Sequence, residues 1–261
     1  MKMQPGTTWQ WPKWGPILPD LVAFALGLGL AWALHWQTTD LVWSLWLSSL
    51  VLGYLTILST VAGGIYIGIR VIIHPDFPRK HLLPGVLIGT AVALFFLGFF
   101  SLHFCGFHAG HAGFLSLFFP LKGVPDHGFF EAFMNPFRLW AMVFQYVLPA
   151  YGWFLIPAII AERKHIFASV IQAVHEVRAG THGETARAPM DALRGQPGSR
   201  QDPFTRPYRN VVRMHLLIFF FAFCYFLKLQ SFLVYAIVYF VYFFPWKAFQ
   251  KQAMEPATAE A

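Results

Sequence analysis

The chain has 261 residues, of which 57% are hydrophobic, 18% aromatic and only 12% charged, against about a quarter charged in an ordinary soluble domain. A mean hydropathy of +0.52 and several uncharged runs near or above the ~20 residues that cross hydrocarbon exclude a soluble enzyme and imply an α-helical membrane protein with several spans. The net charge of +7 does not point to nucleic acid, because the basic residues stand at the ends of apolar blocks, where they orient spans.

Lys2 and Lys13 precede the first apolar block, but Pro5, Pro12, Pro16 and the want of a small-residue cleavage site predict a retained span rather than a signal peptide. Uncharged runs follow at about 21–39, 41–69, 82–121, 139–161, 214–227 and 229–246. They predict an all-α integral membrane fold of about six transmembrane helices. The third run is too long for one simple span, so residues 103–138 are expected to form a re-entrant or interfacial hairpin between spans three and four. Arg70, Arg79 and Lys80 after the second run, and nine Lys or Arg from Arg163 to Arg213, put those flanks and both termini in the cytoplasm.

Within the second run, Gly63-Gly64 is the natural place for a bend, and Gly64-x-x-x-Gly68 and Gly85-x-x-x-Gly89 permit close helix contact. Trp32, Trp36, Trp43, Trp46, Trp140, Trp153 and Trp246 are expected as interfacial anchors. Asn135-Pro136-Phe137-Arg138 reads as a turn into the fourth span, which Pro149 and Pro157 should kink. Beyond it, Ile166, Phe167, Val170, Ile171, Val174 and Val177 share one helical face and predict an amphipathic helix lying on the inner leaflet. From Ala179 to Pro207 the composition is that of a mobile cytoplasmic loop. The chain thus divides into a membrane domain 1–161, a cytoplasmic segment 162–206, and spans five and six with a short tail in 207–261.

Chemistry concentrates in Leu102-His103-Phe104-Cys105-Gly106-Phe107-His108-Ala109-Gly110-His111-Ala112-Gly113-Phe114. Imidazole is costly to bury unless it is hydrogen-bonded, charge-paired or metal-bound. On a helix His108 and His111 share a face at a spacing that can grip one ion. His103 could join if the chain bent at Gly106, and Asp126, His127 and Glu131 fall on the same expected side of the membrane. His215, some turns into the fifth span, is a more distant addition. The expected ligand set is therefore His103, His108, His111, His127, Glu131 and His215, holding zinc, iron or copper at the outer face. Against it stands a structural alternative, in which the imidazoles bond to main-chain carbonyls and hold the hairpin in shape. His35, His74, His81, His165, His175 and His182 read as solvated. Cys105 and Cys224 lie too far apart in sequence to suggest a disulfide framework.

The spacing His103-x-x-x-x-His108-x-x-His111 is similar to the first histidine box of membrane desaturases and hydroxylases, yet the chain has no His-His dipeptide for the further boxes such enzymes need. More of the chain, about half, resembles a domain-of-unknown-function family of polytopic prokaryotic membrane proteins. The stretches that carry the resemblance are Leu102–Phe114 and Pro207-Tyr208-Arg209-Asn210-Val211-Val212-Arg213-Met214-His215-Leu216. In that family an aromatic, histidine-rich hairpin follows one span and a Leu-His pair opens a late span; here Met214 stands in place of the Leu. The resemblance implies the polytopic architecture and a bacterial inner-membrane location, draws attention to His103, His108, His111 and His215, and supplies no reaction. Motifs for serine hydrolases, P-loop NTPases, zinc peptidases and CxxC redox proteins are absent. Three functions remain: metal or metal-cofactor binding, a non-catalytic accessory subunit of a larger membrane complex or homo-oligomer, and a small-solute carrier suggested by the Pro kinks alone.

Overall fold

The computed structural model describes residues 14–74, 77–180, 216, 219–220, 223–228 and 232–245. Of the loop expected from Ala179 to Pro207, the first two residues end α8; the rest of it, His215 and the basic flanks at both ends of the chain lie outside the described residues. Among the described residues all regular structure is helical: α1 (Trp14–Ala33), α2 (Thr38–Ile72), α3 (Leu82–Phe118), α4 (Gly128–Glu131), α5 (Pro136–Met142), α6 (Leu148–Tyr151), α7 (Leu155–Ile166), α8 (Ala168–Gly180) and α9 (Phe232–Phe243). Three helical stretches, Thr38–Ile72, Arg79–Phe118 and Pro136–Arg178, are long and apolar enough to cross a membrane.

α2 is the central helix. At 35 residues it is about 52 Å long, and α3, α7 and α8 all pack on it. Its N-terminal half is almost wholly buried, and its first turn is closed reciprocally by Gln37 and Asp40, the Gln37 N–H donating to Asp40 Oδ2 at 2.8 Å. α3 runs antiparallel to it, since Trp43 reaches Phe119 and Trp46 reaches His108, while Tyr54 reaches Cys105. Where the two helices meet, the Phe104 ring fills the space a Cβ on Gly53 would need.

Residues 103–118, expected in a hairpin, instead continue α3 as one uninterrupted helix. Glycines that suggest loop from composition alone serve here as a packing face. Gly113 receives the Phe130 ring, 2.7 Å from where its Cβ would stand, and Gly106 receives Met134 Sδ at 3.3 Å. The segment that doubles back is a later one. From His127 to Met134, both in left-handed conformation, the chain descends along α3 toward Gly106. It turns at Asn135-Pro136, where Asn135 Oδ1 accepts the Arg138 N–H at 3.0 Å, and Glu131 pairs with Arg138 across the turn.

α5, a π-helical turn at Val143–Val147 and α6 then climb back. Trp140 lies against Tyr54 at 5.2 Å between ring centroids, and Tyr151 Oη donates to Asp40 Oδ1 at 3.2 Å. A 3-10 turn at Gly152–Phe154 reverses the chain again. α7 and α8 therefore run parallel to α2, bringing Ser169 to Thr60 at 3.2 Å between hydroxyls. The expected fourth span, 139–161, is thus split between a rising arm and a descending helix. The helix expected on the inner leaflet, 162–177, is the continuation of that descending helix, packed on α2: a Cβ on Gly63 would lie 3.0 Å from Ser169 O. Gly63 serves this contact rather than a bend, while Gly64, Gly68 and Gly89 have nothing within 4 Å of their Cβ positions and Gly85 has only the tip of Phe77 at 4.0 Å.

The descending helix carries Arg163 and Lys164 past α1, where one carboxylate receives both. Arg163 Nη1 donates to Asp20 Oδ1 at 2.5 Å, and Lys164 Nζ stands 3.6 Å from Asp20 Oδ2. Asp20 is 13 positions before the end of α1, about 20 Å along it. α9 lies against α1, with Tyr239 stacked on Phe24 at 5.3 Å and filling the space beside Gly27.

Candidate functional site

The buried seam between the first half of α2 and the second half of α3 holds most of the polar groups sealed inside the structure. Ser44 and Ser48 satisfy themselves on their own helix, donating to Leu41 O at 2.9 Å and Ser44 O at 2.8 Å. Ser49 turns instead to α3. Its hydroxyl lies 3.2 Å from Nε2 of His108, a residue with no exposed surface. The other ring nitrogen, Nδ1, lies 2.9 Å from Phe104 O. A carbonyl oxygen only accepts, so Nδ1 carries the proton, and Nε2 accepts from Ser49 Oγ–H.

Two tryptophans close the seam. Trp46 Nε1–H donates to the His108 carbonyl at 3.1 Å, and Trp43 Nε1–H donates to Phe119 O at 2.8 Å, just past the end of α3. Phe129, from the arm that doubles back, stacks on Trp43 at 5.5 Å and meets Trp46 edge-on at 5.8 Å. Trp36, Trp43 and Trp46, expected as interfacial anchors, are therefore core residues, whereas Trp32 and Trp153 are exposed. Their indole N–H groups are the signal the sequence offered: a buried indole needs an acceptor, and the carbonyls of α3 supply one.

The five expected ligands among the described residues do not share one centre. His111 is half-buried beside His108, with ring centroids 6.2 Å apart and planes at 72°, but both His108 nitrogens are already engaged. His103 lies on the exposed face of α3, stacked on Phe99 at 5.6 Å and edge-on to Phe107 at 4.9 Å. Five residues of α-helix separate it from His108, which turns the two side chains about 140° apart. A bend at Gly106 would have reunited them, and α3 does not bend there. His127 is exposed at the head of α4, and the Glu131 carboxylate is taken by Arg138. Among the described residues no three of His, Cys, Asp or Glu are grouped to hold a metal ion.

Two features escape a reading of the sequence. Ser49, one of several hydroxyls in an apolar run, becomes the partner of the buried imidazole. Asp20, at the very edge of the first uncharged run, falls inside α1 and pairs with the guanidinium that α7 brings into the bundle. No protein-family model, no curated protein and no solved structure matches the chain.

Proposed function

We propose that the protein is a six-span membrane protein acting as a non-catalytic accessory subunit, with its histidine seam serving as a packing device. The observation that carries this is the engagement of both ring nitrogens of His108 by Ser49 and Phe104, which gives each nitrogen a partner inside the seam. The alternation of helix directions supports the six-span topology. Positions 34–37, 119–127, 152–154 and 227–228 fall toward one end of the bundle, and the α2–α3 connection and the end of α8 toward the other. Arg70, Arg79, Lys80 and Arg178 mark the second end as cytoplasmic. In this topology residues 128–151 are the re-entrant element, entering and leaving from the outer side.

The face offered to a partner is the outer side of that element. Phe133, Met134, Phe137 and Phe144 are exposed there, Phe137 at 89%, around the exposed Glu131–Arg138 pair. Aromatic side chains, Met and Arg make up the core of protein interfaces, whereas an ion pair suits hydrocarbon poorly. The test is isolation of the tagged full chain from its own membranes in mild detergent. A partner at constant stoichiometry, weakened at least tenfold in Phe137→Ser, is the expected result; a solitary monomer in both preparations overturns the proposal. Metal analysis of the same material addresses the rival role. One equivalent of zinc, iron or copper that falls when His108 and His111 are both changed to Ala restores the metal centre.

A further inference from the structure

Among the described residues the barest stretch is the first half of α3. No residue from Leu82 to Phe99 is buried, and Leu83, Leu87, Ile88 and Phe95 are each more than three-fifths exposed. The stretch is about 26 Å long, most of the thickness of the hydrocarbon layer. Directly at its foot stand Arg79, Lys80 and His81, all exposed. Arg70 is exposed near the end of α2, two residues before its last. The register of α8 brings a fourth cation to this level: Ser169 lies beside Gly63, and both helices continue in parallel for nine residues, to Ile72 on α2 and Arg178 on α8.

Opposing these four cations among the described residues is Glu176, whose Oε1 accepts from Gln172 at 2.9 Å; the connecting sequence also contains Asp76. Three exposed histidines, His74, His81 and His175, line the same level. Among the described residues the opposite end of the bundle carries Asp40 and Asp126 against Lys122 and Lys228, while Glu131 and Arg138 cancel at the turn of the doubled-back arm. The cationic excess thus lies where the bare apolar stretch begins.

We propose that this end of the protein seats acidic phospholipid, with the phosphate of the headgroup on Arg79 and Lys80, flanked by Arg70 and Arg178, and the acyl chains along α3 from Leu83 to Phe99. Charge complementarity selects this occupant. A neutral lipid would cover the apolar stretch equally well but would bring no net negative charge to Arg79 and Lys80 in the headgroup layer. A second copy of the chain, packed through the open positions of Gly85 and Gly89, would bring four more cations beside the first four. The proposal rests on membrane embedding and not on the accessory role.

The test uses the full chain purified in mild detergent, with phosphatidylglycerol or phosphatidylcholine added, and counts bound lipid by native mass spectrometry. The expected result is retention of phosphatidylglycerol over phosphatidylcholine, lost by roughly tenfold to thirtyfold in the double variant Arg79→Gln, Lys80→Gln, the scale for removing two surface cations. High salt should weaken it likewise. The double variant Lys122→Gln, Lys228→Gln, at the other end, should retain lipid as the wild type does. Equal retention of the two lipids, or equal loss in both double variants, overturns the proposal. So does a dimer that persists without added lipid and is abolished by Gly89→Leu, which would assign the bare face to a second copy. Unchanged thermal unfolding of the double variants excludes misfolding as the cause of any loss.

Discussion

The two halves of α3 are built from almost the same residue classes and do opposite things. From Leu82 to Phe99 nothing is buried; from Phe100 to Phe118 nine positions are. The first half touches the rest of the protein little and is free to face lipid. The second is held by α2 on one side and by the doubled-back arm on another, through glycines that accept aromatic rings and through a histidine with both nitrogens bonded. Hydropathy cannot separate them, because burial against protein and exposure to lipid select the same apolar composition. What separates them is small polar and aromatic detail: Ser49, Trp43, Trp46 and Gly53 on the facing helix belong to the packed half.

That contrast can be broken most forcefully at His108. His108→Ala removes two hydrogen bonds and leaves a cavity beside Ser49, and should cost about 2–4 kcal/mol in unfolding measured in mixed micelles, whereas His103→Ala on the exposed face should change stability little. Glycines give a matched pair of opposite sign. Gly53→Val must displace the buried Phe104 ring and should cost about 1–3 kcal/mol; Gly89→Ala, with open space around it, should be neutral or stabilise by up to about 1 kcal/mol through helix propensity. If both glycines respond alike, the two halves do not differ in packing as described. Trp46→Phe deletes the N–H donated to His108 O and also shrinks a fully buried indole to a phenyl, so a loss of about 1–3 kcal/mol is expected, readable as a shift in the same unfolding curve. The smallest effect belongs to Glu131→Gln, because a pair with half-exposed side chains contributes about 0–1 kcal/mol.

Much of the architecture is legible in the residues. Long uncharged runs specify long apolar helices, and Asn135-Pro136 specifies a turn, with Asn135 capping the helix that follows. The place of the doubled-back element is not legible, because the glycines at 106, 110 and 113 fit a loop by composition as well as they fit a helix face that receives Phe130 and Met134. The reversal at Gly152–Phe154 is hidden for a related reason: the apolar run continues through it, and nothing in a hydropathy pattern records a change of direction. At the candidate site the sequence shows that a buried imidazole must find partners. It does not show whether these are a shared ion or a serine and a carbonyl, since the choice depends on Ser49, 59 residues away in the chain. Arg163 and Lys164 mark a membrane boundary by the usual rule of basic flanks, yet here they pass α1 within the bundle, and only Asp20 explains how.

The Asp20–Arg163 contact joins residues 143 positions apart, and this separation sets an order of events during synthesis. At 5–20 residues per second, the first helix waits roughly 7–30 s with its carboxylate in place before the guanidinium that matches it is made. A negative charge stationed early lowers the cost of bringing the partly buried guanidinium into an oily environment later. The first helix is in that sense a chaperone for the seventh, built into the same polypeptide.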